Sequence, residues 1–215
     1  MITLRRVGKT YPTRHGVTTV LDGVDLTVQP GARIGIVGRN GAGKSTLIRL
    51  LSGAEAPTRG RIERRMRVSW PLAFGGAFQG SLTGVDNLRF ICRIYDQPVP
   101  EKLAYVEEFS ELGRYLREPV RTYSSGMRAR FAFAVSMAID FDCFLIDEVI
   151  AVGDERFHQK CHEELFVKRS ERALILVSHD AGYVRQHCKE IHLLEGGRLH
   201  PVPASAPSLE TLIPP

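Results

Sequence analysis

The stretch from Gly38 to Thr46 reads G-R-N-G-A-G-K-S-T, which brings together glycines, one lysine and two hydroxyls, the residue types that hold phosphate. It matches G-x-x-x-x-G-K-[ST] and sits between the apolar run Ile34 to Val37 and Leu47-Ile48-Arg49-Leu50-Leu51. That is the strand, loop and helix context in which the pattern has mechanical meaning. Gly38, Gly41 and Gly43 carry no Cβ, so the loop can turn several N–H groups toward one anion. A helix opening at Lys44 adds its positive dipole end. In such a loop Lys44 reaches the β- and γ-phosphates and the Ser45 hydroxyl ligates Mg²⁺, while Arg39, Asn40, Ala42 and Thr46 complete the cradle. A glycine-rich turn with a stray lysine is the plain alternative. The spacing and its context favour a binder of a nucleoside triphosphate and Mg²⁺.

Two further strand ends carry polar groups. Cys143-Phe144-Leu145-Ile146 runs into Asp147-Glu148, and ligands of an open parallel sheet bind where its strands end. Asp147 is therefore a candidate for the Mg²⁺ shell and Glu148 for positioning or deprotonating water. Neighbouring side chains of a strand point to opposite sides, which suits two separate roles. Ala173-Leu174-Ile175-Leu176-Val177 ends in Ser178-His179-Asp180. His179 can donate to a γ-phosphate, and Asp180 reads as a helix cap.

Tyr123-Ser124-Ser125-Gly126-Met127 opens a helix whose apolar face includes Phe131, Ala134, Val135 and Ala138. Small residues there leave N–H groups open to an anion; a serine N-cap is the alternative. Tyr11, in Gly8-Lys9-Thr10-Tyr11-Pro12, is either a packing residue or an aromatic on which a base stacks.

The elements that must position these groups follow from periodicity. Ile2 to Leu4, Thr18 to Leu21 and Val24 to Gln29 read as short strands, the last with the alternation of antiparallel sheet. Later strands are short and almost wholly apolar, as buried parallel strands are. Leu82 to Pro119 is helical, with Thr83 and Asp86 as a capping-box-like start and a second helix opening at Pro100 and Glu101. The chain reads as α/β, a parallel-sheet core with an N-terminal antiparallel β subdomain and a small helical subdomain.

With 215 residues and 43% hydrophobic content, one domain is the default. The longest uncharged run in an apolar pattern, Phe131 to Ile139, is far below the roughly 18 to 20 residues that span a bilayer, and Met1 to Arg6 does not read as a secretory signal. A soluble, cytosolic chain is expected. Cys92, Cys143, Cys161 and Cys188 form no C-x-x-C pair and read as reduced packing residues. His158, Cys161 and His162 can share a helical face, where a solvated surface is the simpler reading than a zinc site. The formal charge of +5 is compatible with nucleic acid, with anionic lipid or with neither. Arg59, Arg61, Arg64, Arg65 and Arg67 fall where Ile62, Met66, Val68 and Trp70 keep an alternating apolar phase, so most of them are expected on the wet face of a strand pair, or against a membrane surface or partner.

Taken in order, the glycine loop, Y-S-S-G-M, the strand with Asp147-Glu148 and Ser178-His179-Asp180 resemble the ATP-binding subunit of ABC transporters over about residues 1 to 200. The resemblance implies a P-loop NTPase (RecA-like) fold with a core at about 1–80 and 125–200, a helical subdomain at about 81–124 and a Pro- and Ala-rich tail over 201–215. It implies that Tyr11 is the adenine-stacking aromatic, Ser124, Ser125, Gly126 and Met127 the signature, Asp147 and Glu148 the Walker B pair, Ala151 to Asp154 the D-loop and His179 the switch histidine. The signature departs from the usual L-S-G-G-Q at Ser125 and Met127. Counting places Ala73 near the position of the family's coupling glutamine, while Gln79 follows later; Gln79 is the candidate retained.

The same resemblance implies a head-to-tail homodimer, with each ATP between the glycine loop of one subunit and Ser124 and Gly126 of the other. Trp70-Pro71-Leu72, Gly80 to Gly84 and Asp147 to Cys161 are most similar to exporters of bacterial cell-surface polysaccharides. Capsular-type export is expected, through integral membrane permease subunits that contact the polysaccharide, with the chain at the cytoplasmic face of the inner membrane. The carbohydrate-binding domain often appended in O-antigen exporters is not expected here, which favours the capsule-like branch. Export of an O-antigen or a teichoic acid, an ABC-type ATPase acting on nucleic acid, and a P-loop kinase are the alternatives; no nucleic-acid partner is expected.

Overall fold

The computed structural model describes residues 1–14, 16–72, 78–148 and 154–203. The chain divides into two compact units, Met1–Pro71 with Phe141–Val149 and Ser170–Pro215, and Leu72–Asp140 with Ile150–Arg169. The second unit thus takes in residues on both sides of the 81–124 insert.

In the first unit, β1 (Ile2–Thr13) and β2 (Gly16–Val28) form a long antiparallel hairpin, and β4 (Arg59–Arg64) pairs with the other edge of β1. The short strands expected at the N-terminus are parts of this hairpin. Its register slips between Leu4 and Val7, Val7 and Lys9, and Lys9 and Thr10, with Arg6 left-handed at φ 48°. Such bulges interrupt the two-residue alternation by which a strand is read. The second sheet has the order β5-β6-β7-β3-β8-β9, built from β5 (Val68–Pro71), β6 (Cys143–Asp147), β7 (Ala173–Ser178), β3 (Arg33–Val37), β8 (Glu190–Glu195) and β9 (Arg198–Val202). All of its neighbours run parallel except β8 and β9. β9 includes Pro201 and Val202, the first residues of the expected tail; 204–215 lie outside the described residues.

One buried cluster unites the inward residues of both sheets, such as Leu4, Val24, Ile34, Ile36 and Ile175, with Leu47, Ile48, Leu50 and Leu51 of α1 (Lys44–Ser52). The apolar phase of α1 is thereby satisfied. On the other face of β3, Gly35 has no Cβ to collide with Val184 and Cys188, which lets α6 (Ala181–His187) lie against the strand. Asp180 caps α6 by accepting from the Tyr183 N–H at 2.9 Å, as expected.

β4 and β5 belong to different sheets, so the arginine-rich stretch is not the strand pair expected of it. Arg64 lies opposite Ile2 in the register of β4 with β1 and is exposed, like the other four arginines. Its guanidinium donates to the carbonyls of Leu51, at 2.9 Å, and Leu50, at the C-terminal end of α1. There a cation meets the negative end of the helix dipole.

The second unit contains α2 (Gly84–Ile94), α3 (Val99–Ser110), α4 (Ser125–Ala138) and α5 (Glu155–His162), the last widening into a π-helical turn over Glu163–Val167. The Thr83 hydroxyl accepts from the Asp86 N–H at 3.0 Å and donates to the Asp86 carboxylate at 2.7 Å, completing the cap legible in the sequence. Phe109 gathers Tyr105, Phe133 and Phe157 with ring centroids 5.6–5.8 Å away. Glu164 is buried and accepts from Tyr105 at 2.8 Å, from Lys168 at 3.0 Å and from Arg169. Burial pushes its carboxyl up, and hydrogen bonds from Arg169, Tyr105 and Lys168 outweigh that, holding it below the usual carboxylate range. A buried carboxylate persists only with such partners.

Candidate functional site

The glycine loop joins β3 to α1 through backbone that side chains would obstruct. Gly43 caps α1 at φ 104°, and Gly41 has φ 81°. A Cβ on Gly38 would lie 2.6 Å from the Leu194 carbonyl oxygen. No side chain caps the first turn of α1, so its N–H groups are left to a ligand or water.

Above this turn is a cavity of about 590 Å³, lined by Asn40, Gly41, Gly43, Lys44, Ser45, Thr46, Asp147 and Glu148, with Val20 and Arg49. Three segments far apart in sequence therefore converge on one space. The Lys44 ammonium is buried and donates to the carbonyls of Gly38 at 2.7 Å and Arg39 at 3.0 Å. Burial lowers its pKa, and the nearby Glu148 and Asp147 charges pull in the other direction. Asp147 is half-buried at the end of β6, and its carboxyl is pushed up by burial and by Glu148, against Lys44 and Arg49. A cation arriving beside it would relieve both costs.

Glu148 leaves the strand in the left-handed region at φ 69° while its N–H donates to the Val177 carbonyl at 2.7 Å. For a residue with a Cβ this conformation costs about 1–2 kcal/mol. Strand alternation would have sent Asp147 and Glu148 to opposite sides; with the left-handed turn both line the same cavity. His179 follows β7, and its Nδ1 lies 3.5 Å from Glu148 Oε1.

The donor set fits Mg²⁺. Ser45 and Asp147 face one cavity, and two oxygen ligands suffice for an ion that keeps several waters and takes the rest of its shell from substrate phosphates.

The other expected residues are distributed differently. Arg39 and Ala42 line a neighbouring cavity of about 470 Å³, shared with Asn40 and Gly41, between β2 and the β8–β9 turn. Tyr11 does not line the first cavity but is tied to it through Arg49, whose guanidinium donates to its hydroxyl at 3.2 Å. In the second unit, Ser124 and Ser125 are exposed, and Ser124 caps α4 by accepting from Met127 N–H at 3.2 Å. Gly126 has open space where a Cβ would stand. Asp154 caps α5 and pairs with Arg130 at 2.6 Å. Gln79 is exposed, with its backbone fastened to the Asn87 side chain at 2.8 and 3.1 Å. Ala73 and Ala151 to Gly153 lie outside the described residues.

Sequence reasoning missed Val20 and Arg49. The signal for Arg49 was available, since three residues beyond Thr46 on a helix puts a side chain on the same face, and Arg49 does donate to the Thr46 hydroxyl at 3.1 Å.

Comparison with known proteins bears on the family and the fold. A family model described as ABC transporter matches residues 21–151. The capsule polysaccharide export ATP-binding protein CtrD of Neisseria meningitidis serogroup B is 60% identical over 200 residues, covering 93% of each chain. The ATP-binding protein BexA of Haemophilus influenzae is 59% identical over 200 residues, covering 93% of this chain and 92% of its own. Among solved structures, a dimeric post-hydrolysis state of the ATP-binding cassette MJ0796 bound to ADP and Pi superposes with a TM-score of 0.77 at 20% identity, covering 93% of this chain and 96% of that one. The fold is that of the P-loop cassette ATPases.

Proposed function

The chain belongs to the ABC transporter family, and from that premise we propose that it is the ATP-hydrolysing subunit of an exporter that moves a capsule-type polysaccharide through a separate membrane subunit. One observation carries the enzymatic part: the glycine loop, Lys44, Ser45, Asp147 and Glu148 line a single cavity. The glycan assignment is supported by 60% and 59% identity to CtrD and BexA over nearly the whole chain.

In this reading the first-turn N–H groups of α1 and the Lys44 ammonium bind the β- and γ-phosphates. Lys44 exchanges its two loop carbonyls for phosphate oxygens. Ser45 and Asp147 hold Mg²⁺, which when bound neutralises charge on the phosphates. Glu148 orients water and accepts its proton, and His179, beside Glu148, donates to the γ-phosphate. Tyr11 stacks on the base.

Ser124, Ser125 and Gly126 complete the site of a second copy, so that two ATP molecules hold a homodimer closed. Hydrolysis weakens that contact and the dimer reopens. The single nucleotide-binding domain then comprises both units. Among the described residues no helix is long and apolar enough to cross a membrane. In this proposal the chain is peripheral, on the cytoplasmic face of the inner membrane, and acts on permease subunits that contact the glycan.

Complementation tests the whole reading. Expressed in a Neisseria meningitidis strain lacking CtrD, the chain restores surface capsule and its Lys44→Ala variant does not. A folded chain that purifies as a Mg²⁺-dependent ATPase yet never restores capsule refutes the glycan assignment. Absence of ATPase activity refutes the enzymatic one.

A further inference from the structure

The hydroxyl of Tyr11 has more partners than a packing tyrosine requires. It donates to Glu55 Oε2 at 2.6 Å and accepts from Arg49 Nη2 at 3.2 Å, which uses both its donor and an acceptor site. Arg49 also lies 3.6 Å from the Glu55 carboxylate and donates to Thr46, inside the phosphate loop, at 3.1 Å. Glu55 is itself fixed. Its N–H donates to the Arg49 carbonyl at 3.2 Å, and the Ala56 carbonyl next to it accepts from Lys9 at 2.9 Å. The Lys9 ammonium stands 5.1 Å from the Tyr11 ring centroid, within cation–π range, and 3.8 Å from Glu55.

We propose that Glu55, Arg49 and Lys9 are positioning residues that hold the Tyr11 ring in a fixed orientation relative to the phosphate loop, so that the ring is set to receive the base of a nucleotide whose phosphates the loop already holds. This rests on the reading of Tyr11 as the base-stacking aromatic. The hydroxyl is held at one end of the ring and Lys9 takes one face, which confines a base to the other. Arg49 links the phenol to Thr46, so the ring and the loop that holds the phosphates keep one spacing. A ring already immobilised loses no rotamer freedom when a base docks.

The test compares ATP with inorganic triphosphate, both with Mg²⁺, by calorimetry in the Glu148→Gln background. Tyr11→Phe keeps the ring and removes the tether; Glu55→Gln keeps the size and removes the charge. Each should weaken ATP binding about three- to tenfold, or about 0.7–1.4 kcal/mol at 1.4 kcal/mol per tenfold, and leave triphosphate binding unchanged. Tyr11→Ala should cost ATP about ten- to a hundredfold. Unaltered ATP affinity in both conservative variants, with Tyr11→Ala still impaired, would overturn the positioning role while keeping the stacking role. A matching loss of triphosphate binding would overturn it too, since damage to the fold would then explain both. If Tyr11→Ala binds ATP normally, the stacking reading fails and this inference with it.

Discussion

Replacing Arg64 by Met keeps an apolar stem on β4 and removes the guanidinium from the C-terminal end of α1. Two hydrogen bonds are lost, to the carbonyls of Leu51 and Leu50, worth about 1 kcal/mol each in net terms. Loss of a cation near a helix C-terminus adds about 0.5 kcal/mol. Against this, an arginine released from one conformation regains about 1 kcal/mol of side-chain entropy. Destabilisation of about 1.5 kcal/mol remains, which for a chain of this size lowers the melting temperature by about 3–6 °C. Arg64→Lys, with charge but no fork, should fall between the two. Thermal melts, with urea midpoints at constant slope, measure the effect. Lys44 to Thr46 lie at the far end of α1, so the ATP dissociation constant should stay within about threefold of the parent. A melting temperature for Arg64→Met within about 1 °C of the parent would show that the helix end is satisfied without the guanidinium.

Glu148→Gln should lower the ATPase turnover by about 10²–10⁴-fold and leave ATP affinity nearly unchanged, as phosphate release and calorimetry would show. Asp147→Asn should stabilise the nucleotide-free protein by about 0.5–2 kcal/mol at pH 7. The Asp147 carboxyl is held above its ordinary range by burial and Glu148, so the folded state binds its proton more tightly and loses stability as pH rises through that interval. Melts at a pH below the ordinary carboxylate range, with both states protonated, should show the advantage gone; at pH 7 saturating Mg·ATP should reverse it. Gly43→Ala should cost about 1–3 kcal/mol and impair ATP binding, because the residue has φ 104° and a Cβ there meets Leu21 Cδ2 and Val20 Cγ1 at 3.1 Å. A melt and a binding isotherm on one preparation check both.

Features set by neighbours in the chain were legible in the sequence. The caps at Thr83 and Asp180 are local hydrogen bonds, and the glycine loop advertises itself through φ values closed to other residues. The apolar runs at Cys143 and Ala173, separated by helical patterns, read as buried parallel strands, and the structure has them as β6 and β7. Hidden features depend on partners far along the chain. The hairpin through Tyr11 and Pro12 is obscured by three register slips that scramble its alternation. Arg64 is exposed like its arginine neighbours, and only the fold brings its guanidinium to the carbonyls that end α1. Asp147 and Glu148 were recognisable, yet their shared orientation was not, because it depends on the left-handed turn at Glu148. Arg49 shares a helical face with Thr46, but its partners Tyr11 and Glu55 reach it only in the fold.

Two copies of the chain are proposed to share each ATP, and the mass of the Glu148→Gln protein in Mg·ATP, with and without Ser124→Arg, tests this most directly. Light scattering should give a dimer for Glu148→Gln with ATP and a monomer without it. Adding Ser124→Arg, on an exposed helix start, should leave a monomer that still binds ATP. A dimer that survives the Ser124 change, or Glu148→Gln protein that stays monomeric while saturated with ATP, would contradict the shared site.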